Sequence, residues 1–161
     1  MKKTQIITTV FEYNSIDELS LEEQELVRNA KEAALRSYSP YSKFSVGAAI
    51  LLENKDIIQG NNQENSAYPS GLCAERVAMF YANSKYPDVP VKTIAITART
   101  NGQFSENPIP PCGSCRQVLL ETEERFNQPI KLILFGEKKI KIVKTIKEML
   151  PLYFEKEMLD E

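Results

Sequence analysis

The 161-residue chain has no histidine. That absence removes Ser/His/Asp and Cys/His nucleophilic catalysis, HExxH zinc sites and His-ligated iron. It has only three cysteines, an odd number, which argues against a disulfide framework. Long apolar runs are also missing, so no stretch is suited to spanning a bilayer. The basic start Met1-Lys2-Lys3 leads into Thr4-Gln5-Ile6-Ile7-Thr8-Thr9-Val10, which is too polar for a signal-peptide core. A cytoplasmic location with no membrane partner is therefore expected. Nor is there an excess of positive charge. Twenty Lys and Arg stand against 22 Asp and Glu, a formal net charge of −2, so nucleic acid is not an expected partner.

The hydrophobic content of 42% and charged content of 26% are those of a globular protein, and the length suits one domain over residues 1–161 with one core. Residues 1–20 form an extra N-terminal segment. Within it Gln5 to Phe11 alternates weakly and reads as an added edge strand or a flexible arm. Ser20-Leu21-Glu22-Glu23 is a capping box, and Leu26, Val27, Ala30, Ala33 and Ala34 keep helical spacing, which predicts a helix from Leu21 to Arg36. Val46 to Leu52 reads as a strand buried on both faces, and its small Gly47, Ala48 and Ala49 require another element to pack closely. Ile57 to Gly60 returns as a hairpin partner, and Asn61 to Ser70 is a loop. Leu72 to Ala82 is a helix, Thr93 to Thr97 a strand, and Asn101 to Pro111 a long loop. Gly113 to Arg125 is a helix, and Ile130 to Phe135 and Lys139 to Val143 are strands. A short last helix, capped at Thr145, stops at Pro151. This order argues for an α/β layered domain with a mixed sheet.

All three cysteines lie in Cys73-Ala74-Glu75-Arg76 and Pro111-Cys112-Gly113-Ser114-Cys115-Arg116-Gln117. Without histidine, Cys73, Cys112 and Cys115 are the only soft donors for a transition metal. Zinc takes four ligands in a tetrahedron, and a catalytic site commonly draws three from protein and leaves the fourth for water. Pro110 and Pro111 put Cys112 at a helix start, with Cys115 one turn on and on the same face. Cys73 follows Ser70-Gly71 at another expected helix start. Cys73 and Glu75 are two residues apart and share a site only if Cys73 occupies the first turn. Two helix starts then converge, each with free N–H groups and partial positive charge that lower thiol pKa. Three thiolates bring Zn²⁺ to a net charge of about −1, which Arg76, or secondarily Arg116, would offset. Glu75 is the candidate acid/base. A lone Cys-x-x-Cys also reads as a structural zinc half-site or a redox pair, and Glu75 as a solvated helix residue. A structural site, however, is usually closed by four ligands, and a redox pair does not account for Cys73-x-Glu75.

Cys-x-Glu followed by Pro-Cys-x-x-Cys is the zinc-deaminase signature in its three-cysteine form. Ser37-Tyr38-Ser39-Pro40-Tyr41-Ser42-Lys43-Phe44-Ser45-Val46-Gly47-Ala48-Ala49 resembles the N-terminal segment of cytidine deaminases. Gly60-Asn61-Asn62-Gln63-Glu64-Asn65 is similar too, as are Leu150-Pro151 and Phe154 near the end. The resemblance runs collinearly from about Leu21 to Phe154 and is to the small homotetrameric type. It implies an α/β fold, a three-layer α/β/α sandwich with a five-stranded mixed sheet. It implies one Zn²⁺ per chain on Cys73, Cys112 and Cys115, with Glu75 moving protons between the attacking water and the pyrimidine ring. It implies that Asn62 and Glu64 hydrogen-bond the ribose 3′-hydroxyl, that Phe44 packs on the base and that Phe154 reaches a neighbouring subunit's site. Tyr68 and Ala74 complete the substrate-binding set, and Arg76 tunes the zinc charge. A hydroxyl needs one donor and one acceptor, and a flat base needs a stacking partner, so the residue types suit those roles. Read alone, Asn62 shapes a turn, Glu64 is solvated and Phe44 is core. The family often has Asn-Ala-Ser-Tyr where this chain has Asn65-Ser66-Ala67-Tyr68, and Pro69-Ser70-Gly71-Leu72 replaces a more apolar approach to Cys73.

The expected activity is zinc-dependent hydrolytic deamination of cytidine and 2′-deoxycytidine in pyrimidine salvage. Deamination of the antibiotic blasticidin S on the same scaffold is a sister reading, and Arg76 together with Asn62-x-Glu64 favours the nucleoside. A non-catalytic zinc-stabilised binding module is the alternative of another class, and it requires a fourth protein ligand.

Overall fold

Strand β2 (Phe44–Leu52) carries buried side chains on both faces, and the two helical layers close on it. The structure, a computed structural model, describes residues 1–159; the last two residues of the expected 1–161 domain lie outside the described residues. β2 is flanked by β3 (Ile57–Asn61) and β4 (Val91–Thr100), both antiparallel to it. β6 (Lys131–Phe135) runs parallel to β4, β7 (Ile140–Val143) is antiparallel to β6, and β1 (Phe11–Tyr13) is antiparallel to β7. The sheet order is β1-β7-β6-β4-β2-β3, with β5 (Gln103–Phe104) paired to the end of β4.

The mixed α/β sandwich is as expected, but the sheet has seven strands, not five. One added strand is β1, which takes the edge of β7 at Phe11–Tyr13. Of the run Gln5–Phe11, only Phe11 joins the sheet. The other is β5. Asn101 and Gly102 have φ of 50° and 80°, so the chain reverses in a two-residue turn of the kind that joins hairpin strands. The expected loop over Asn101–Pro111 thus begins with a hairpin.

Helix α1 (Leu21–Leu35) starts at the Ser20/Glu23 capping box and lays Leu26, Val27 and Ala30 against Ala49, Leu51, Ala95 and Ile133 on one face of the sheet. Helices α2 (Ala74–Lys85) and α3 (Gly113–Phe126) cover the other face. There Ala78, Met79, Leu119 and Leu120 meet Ile50, Ile94, Ile96 and Leu132. Each fully buried Leu or Ile side chain contributes about 1.5–3 kcal/mol by leaving water. The close approach expected at Gly47 is that of α1: a Cβ there would lie 2.0 Å from the carbonyl oxygen of Ala30. No described helix is long and apolar enough to cross a membrane.

β3 and β4 point the same way because each is antiparallel to β2, and β6 is parallel to β4. So β3–α2–β4 and β4–α3–β6 are successive crossovers advancing in one direction across the sheet. Crossovers of one hand place both helices on the same face. Both helices therefore begin at the same end of the sheet, beyond the carboxyl ends of β3 and β4, where open α/β sheets build their sites. After β7 the expected last helix is a single 3₁₀ turn, Ile146–Met149. Thr145 caps it, and the helical turn ends at Leu150, before Pro151.

Candidate metal centre and cleft

Cys73 is the N-cap of α2, with extended φ and ψ of −70° and 153°. Its side chain therefore escapes regular helical spacing, and Glu75, the second residue of the helix, is free to share its site. Gly60 on β3 lets this turn come down onto the sheet, since a Cβ there would lie 2.6 Å from the Ala74 oxygen and 2.5 Å from the Ala78 nitrogen. Cys112 is the N-cap of α3, with φ −67° and ψ 167°, and Cys115 follows in the first turn. Neither cap residue makes a side-chain cap hydrogen bond.

The three Sγ atoms lie within 4.8 Å of one another, with Cys73–Cys112 at 3.9 Å and Cys112–Cys115 at 3.4 Å. A tetrahedral ion with Zn–S bonds near 2.3 Å needs sulfurs about 3.8 Å apart. The donor set thus fits one zinc ion, and no fourth cysteine or histidine exists to close it.

The neighbouring Cys115 thiol brings the Cys73 thiol down to about 5, helped by Arg76 and Cys112 and opposed by partial burial. The proximity of Cys73, with burial and the nearby charge of Glu75, pushes the Cys115 thiol up. Glu75 is only 4% exposed. Burial raises its carboxyl above the ordinary carboxylate value, and the charge on Cys73 adds to this, while its own N–H and Cys115 act the other way. Arg76 Nη2 lies 3.9 Å from Cys73 Sγ. Arg116, the second candidate for charge compensation, points elsewhere. Its Nε donates to the Pro111 carbonyl at 2.9 Å and its Nη1 to the Met149 carbonyl at 2.8 Å.

The cluster opens into a cleft of about 710 Å³ that brings Phe44, Asn62, Glu64, Tyr68, Cys73, Glu75, Arg76 and Cys112 together. Asn62 is clamped to β2: Oδ1 accepts from the Val46 N–H at 2.7 Å, and Nδ2 donates to the Phe44 carbonyl at 2.9 Å. One amide N–H and one carbonyl lone pair remain. Glu64 accepts the backbone N–H groups of Tyr41 and Ser42 through Oε2, at 2.8 and 3.2 Å. The Tyr68 ring stands edge-on to Tyr41, 6.0 Å between centroids, and both are exposed. Ala74 is fully buried in the α2-side core and does not line the cleft. Phe154 is exposed and lies outside its own chain's cleft.

Sequence reasoning gave no site role to Tyr41, Ser42, Ile109 or Pro110, all of which line the cleft. Tyr41 and Ser42 flank Phe44 closely enough to have been suspected. Ile109 and Pro110 lie in a proline-rich loop that carries no chemical signal.

A family model described as the cytidine and deoxycytidylate deaminase zinc-binding region matches residues 20–127. The chain is similar to a cytidine deaminase of Sporosarcina psychrophila, 46% identical over 98 residues, which is 61% of this chain and 68% of the relative. A cytidine deaminase of Halalkalibacterium halodurans is 40% identical over 103 residues, 63% of this chain and 72% of the relative. The crystal structure of a cytidine deaminase from Burkholderia pseudomallei aligns with a TM-score of 0.70 at 32% identity, covering 81% of this chain and 97% of that one. That of Mycobacterium tuberculosis aligns with a TM-score of 0.66 at 29% identity, covering 84% and 99%.

Proposed function

The chain belongs to the cytidine and deoxycytidylate deaminase family, and on that premise we propose that it hydrolyses cytidine and 2′-deoxycytidine to uridine and 2′-deoxyuridine, releasing ammonia in pyrimidine salvage. The observation that carries this reading is the meeting of three sulfurs, all within 4.8 Å, with the buried carboxyl of Glu75 at a cleft roomy enough for a nucleoside.

Cys73, Cys112 and Cys115 would hold a zinc ion, which would supply the Lewis acidity that makes water nucleophilic near neutral pH. The remaining work falls to side chains. Glu75 takes a proton from the attacking water as its oxygen bonds to C4 of the base, and delivers it to the ring nitrogen N3. It then transfers the second proton to the exocyclic amine as the C4–N bond breaks. Burial suits Glu75 to this exchange, because a carboxyl raised above its ordinary value holds a proton more readily once it has taken one. Asn62 and Glu64 supply a donor and an acceptor to the ribose 3′-hydroxyl, with the capacity left by their backbone bonds. Phe44 packs on the base, while Tyr68 borders the ribose end. Ala74 offers backbone alone. Arg76 offsets thiolate charge.

The same reading makes the protein a cytoplasmic homotetramer with no nucleic-acid partner, in which Phe154 reaches the cleft of a neighbouring subunit. The deciding experiment is metal analysis with an ultraviolet assay on cytidine and blasticidin S. One zinc per chain with turnover of cytidine is expected. Full zinc without nucleoside turnover, or strong preference for the antibiotic, overturns the reading. Sedimentation is expected to give four chains, and a fully active monomer removes any role for Phe154 across subunits.

A further inference from the structure

Beyond β7 the chain turns back along α3 toward the end that bears Cys112 and Cys115. Side chains of α3 hold it on the way. At the far end, buried Glu123 accepts the N–H of Ile146 at 2.8 Å and the hydroxyl of Thr145, and Glu124 pairs with Lys147. Two turns nearer the cysteines, Arg116 donates to the Met149 carbonyl at 2.8 Å, and Gln117 donates to the Phe154 carbonyl at 2.9 Å. Arg116 makes a second bond, from Nε to the Pro111 carbonyl at 2.9 Å. Pro111 directly precedes Cys112, and the adjacent Ile109 and Pro110 line the cleft. The guanidinium pairs with no carboxylate among the described residues. One planar fork therefore grips both the loop that carries a thiolate ligand and the segment from Met149 to Phe154.

We propose that Arg116 is a positioning residue that couples the two, so that metal occupancy at Cys112 and the order of residues 149–154 rise and fall together. The coupling rests on the zinc reading above. The donors of a guanidinium are fixed relative to one another, so a shift of the Pro111 carbonyl strains the bond to Met149, and the reverse. Such coupling is reciprocal: an ordered 149–154 segment also favours the metal-bound loop.

The test is hydrogen exchange on the full-length protein, zinc-loaded and chelator-stripped, for wild type, Arg116→Lys and Glu123→Gln. A lysine ammonium lacks the fork. Glu123→Gln loosens the far end of the segment and the bond to the Ile130 N–H, and touches neither the Pro111 nor the Met149 carbonyl. In wild type, stripping zinc is expected to speed exchange at 149–154 about tenfold, the scale of ordinary coupling. Arg116→Lys is expected to exchange fast in both states and to release zinc to a chromogenic chelator roughly tenfold faster. Glu123→Gln keeps the wild-type response at 149–154 and the wild-type release rate. The proposal is overturned if wild-type exchange at 149–154 ignores zinc, if Arg116→Lys keeps the wild-type response, or if Glu123→Gln abolishes it equally. Zinc content and cytidine turnover of the wild type separate the two failures. A zinc-loaded, active enzyme with no exchange response sinks the coupling alone, and a chain that takes up no zinc sinks both.

Discussion

A single methyl group at Gly60 disturbs the metal centre while every site residue keeps its identity. In Gly60→Ala the new Cβ would lie 2.5 Å from the Ala78 nitrogen, 2.6 Å from the Ala74 oxygen and 2.8 Å from the Ala78 Cβ. Ordinary contact begins near 3.4 Å, so strand and helix must part by close to 0.9 Å. No flexible side-chain tip is available to give way. The turn that moves is the one that presents Cys73 and Glu75. Overpacking of this kind costs about 1–3 kcal/mol of stability, and misplacing a catalytic group by about 1 Å costs about 100-fold in rate. The expected variant is folded, with a Tm several degrees lower, a kcat on cytidine down about 100-fold and a smaller change in KM. Gly47→Ala is the matched control. Its Cβ would lie 2.0 Å from the Ala30 oxygen, but on the opposite face, against α1, which holds no site residue. It should lose Tm without a comparable loss in kcat. A folded Gly60→Ala enzyme with near-normal kcat, or a Gly47→Ala enzyme equally slow, would refute the reasoning.

Three further outcomes are expected. Glu75→Gln keeps zinc and fold but loses about 100- to 10,000-fold in kcat, the range for a general acid–base group; normal turnover removes Glu75 from the proton path. Asn62→Ala strips the Val46 N–H and Phe44 carbonyl of their partner, costing about 1–3 kcal/mol of stability, and raises KM more than it lowers kcat. An unchanged KM would leave Asn62 a purely structural clamp. Glu23 lies below its ordinary carboxylate value: partial burial works against this, but Lys131 and Ser20 prevail. A depressed folded value adds stability that is present above the unfolded pKa and lost as pH falls through the folded one. The Tm gap between wild type and Glu23→Gln should therefore narrow on acidification below about pH 4, and a gap that widens would contradict that sign.

The layers and the metal ligands were legible because few residues could play those parts. Ser20 and Glu23 mark the start of α1 by chemistry alone, and Gly47-Ala48-Ala49 announces a close neighbour. Three cysteines in a chain without histidine leave one donor set. The features that escaped depend on backbone partners. The β4–β5 turn was signalled by Asn101-Gly102, but the prolines that follow drew attention to a loop. β4 runs on through Arg99 and Thr100 because strand pairing uses main-chain groups and requires no apolar side chain. Tyr41 and Ser42 hold Glu64 by their N–H groups, which any residue there would supply. Both partners of Arg116 are carbonyls, five and 33 residues away in sequence, and nothing in the order of residues marks them. β1 pairs with β7 through the main chain as well, with Glu12 opposite Lys141, whose side chains add an ion pair at 3.2 Å.

The sulfurs differ in their access to solvent: Cys112 is exposed, Cys73 half-buried and Cys115 buried. Visitors from bulk water therefore meet them in a set sequence. An arriving ion, an alkylating reagent or a competing chelator touches Cys112 first and Cys115 last. Of the three, Cys112 is the most open to water and Cys115 the most enclosed.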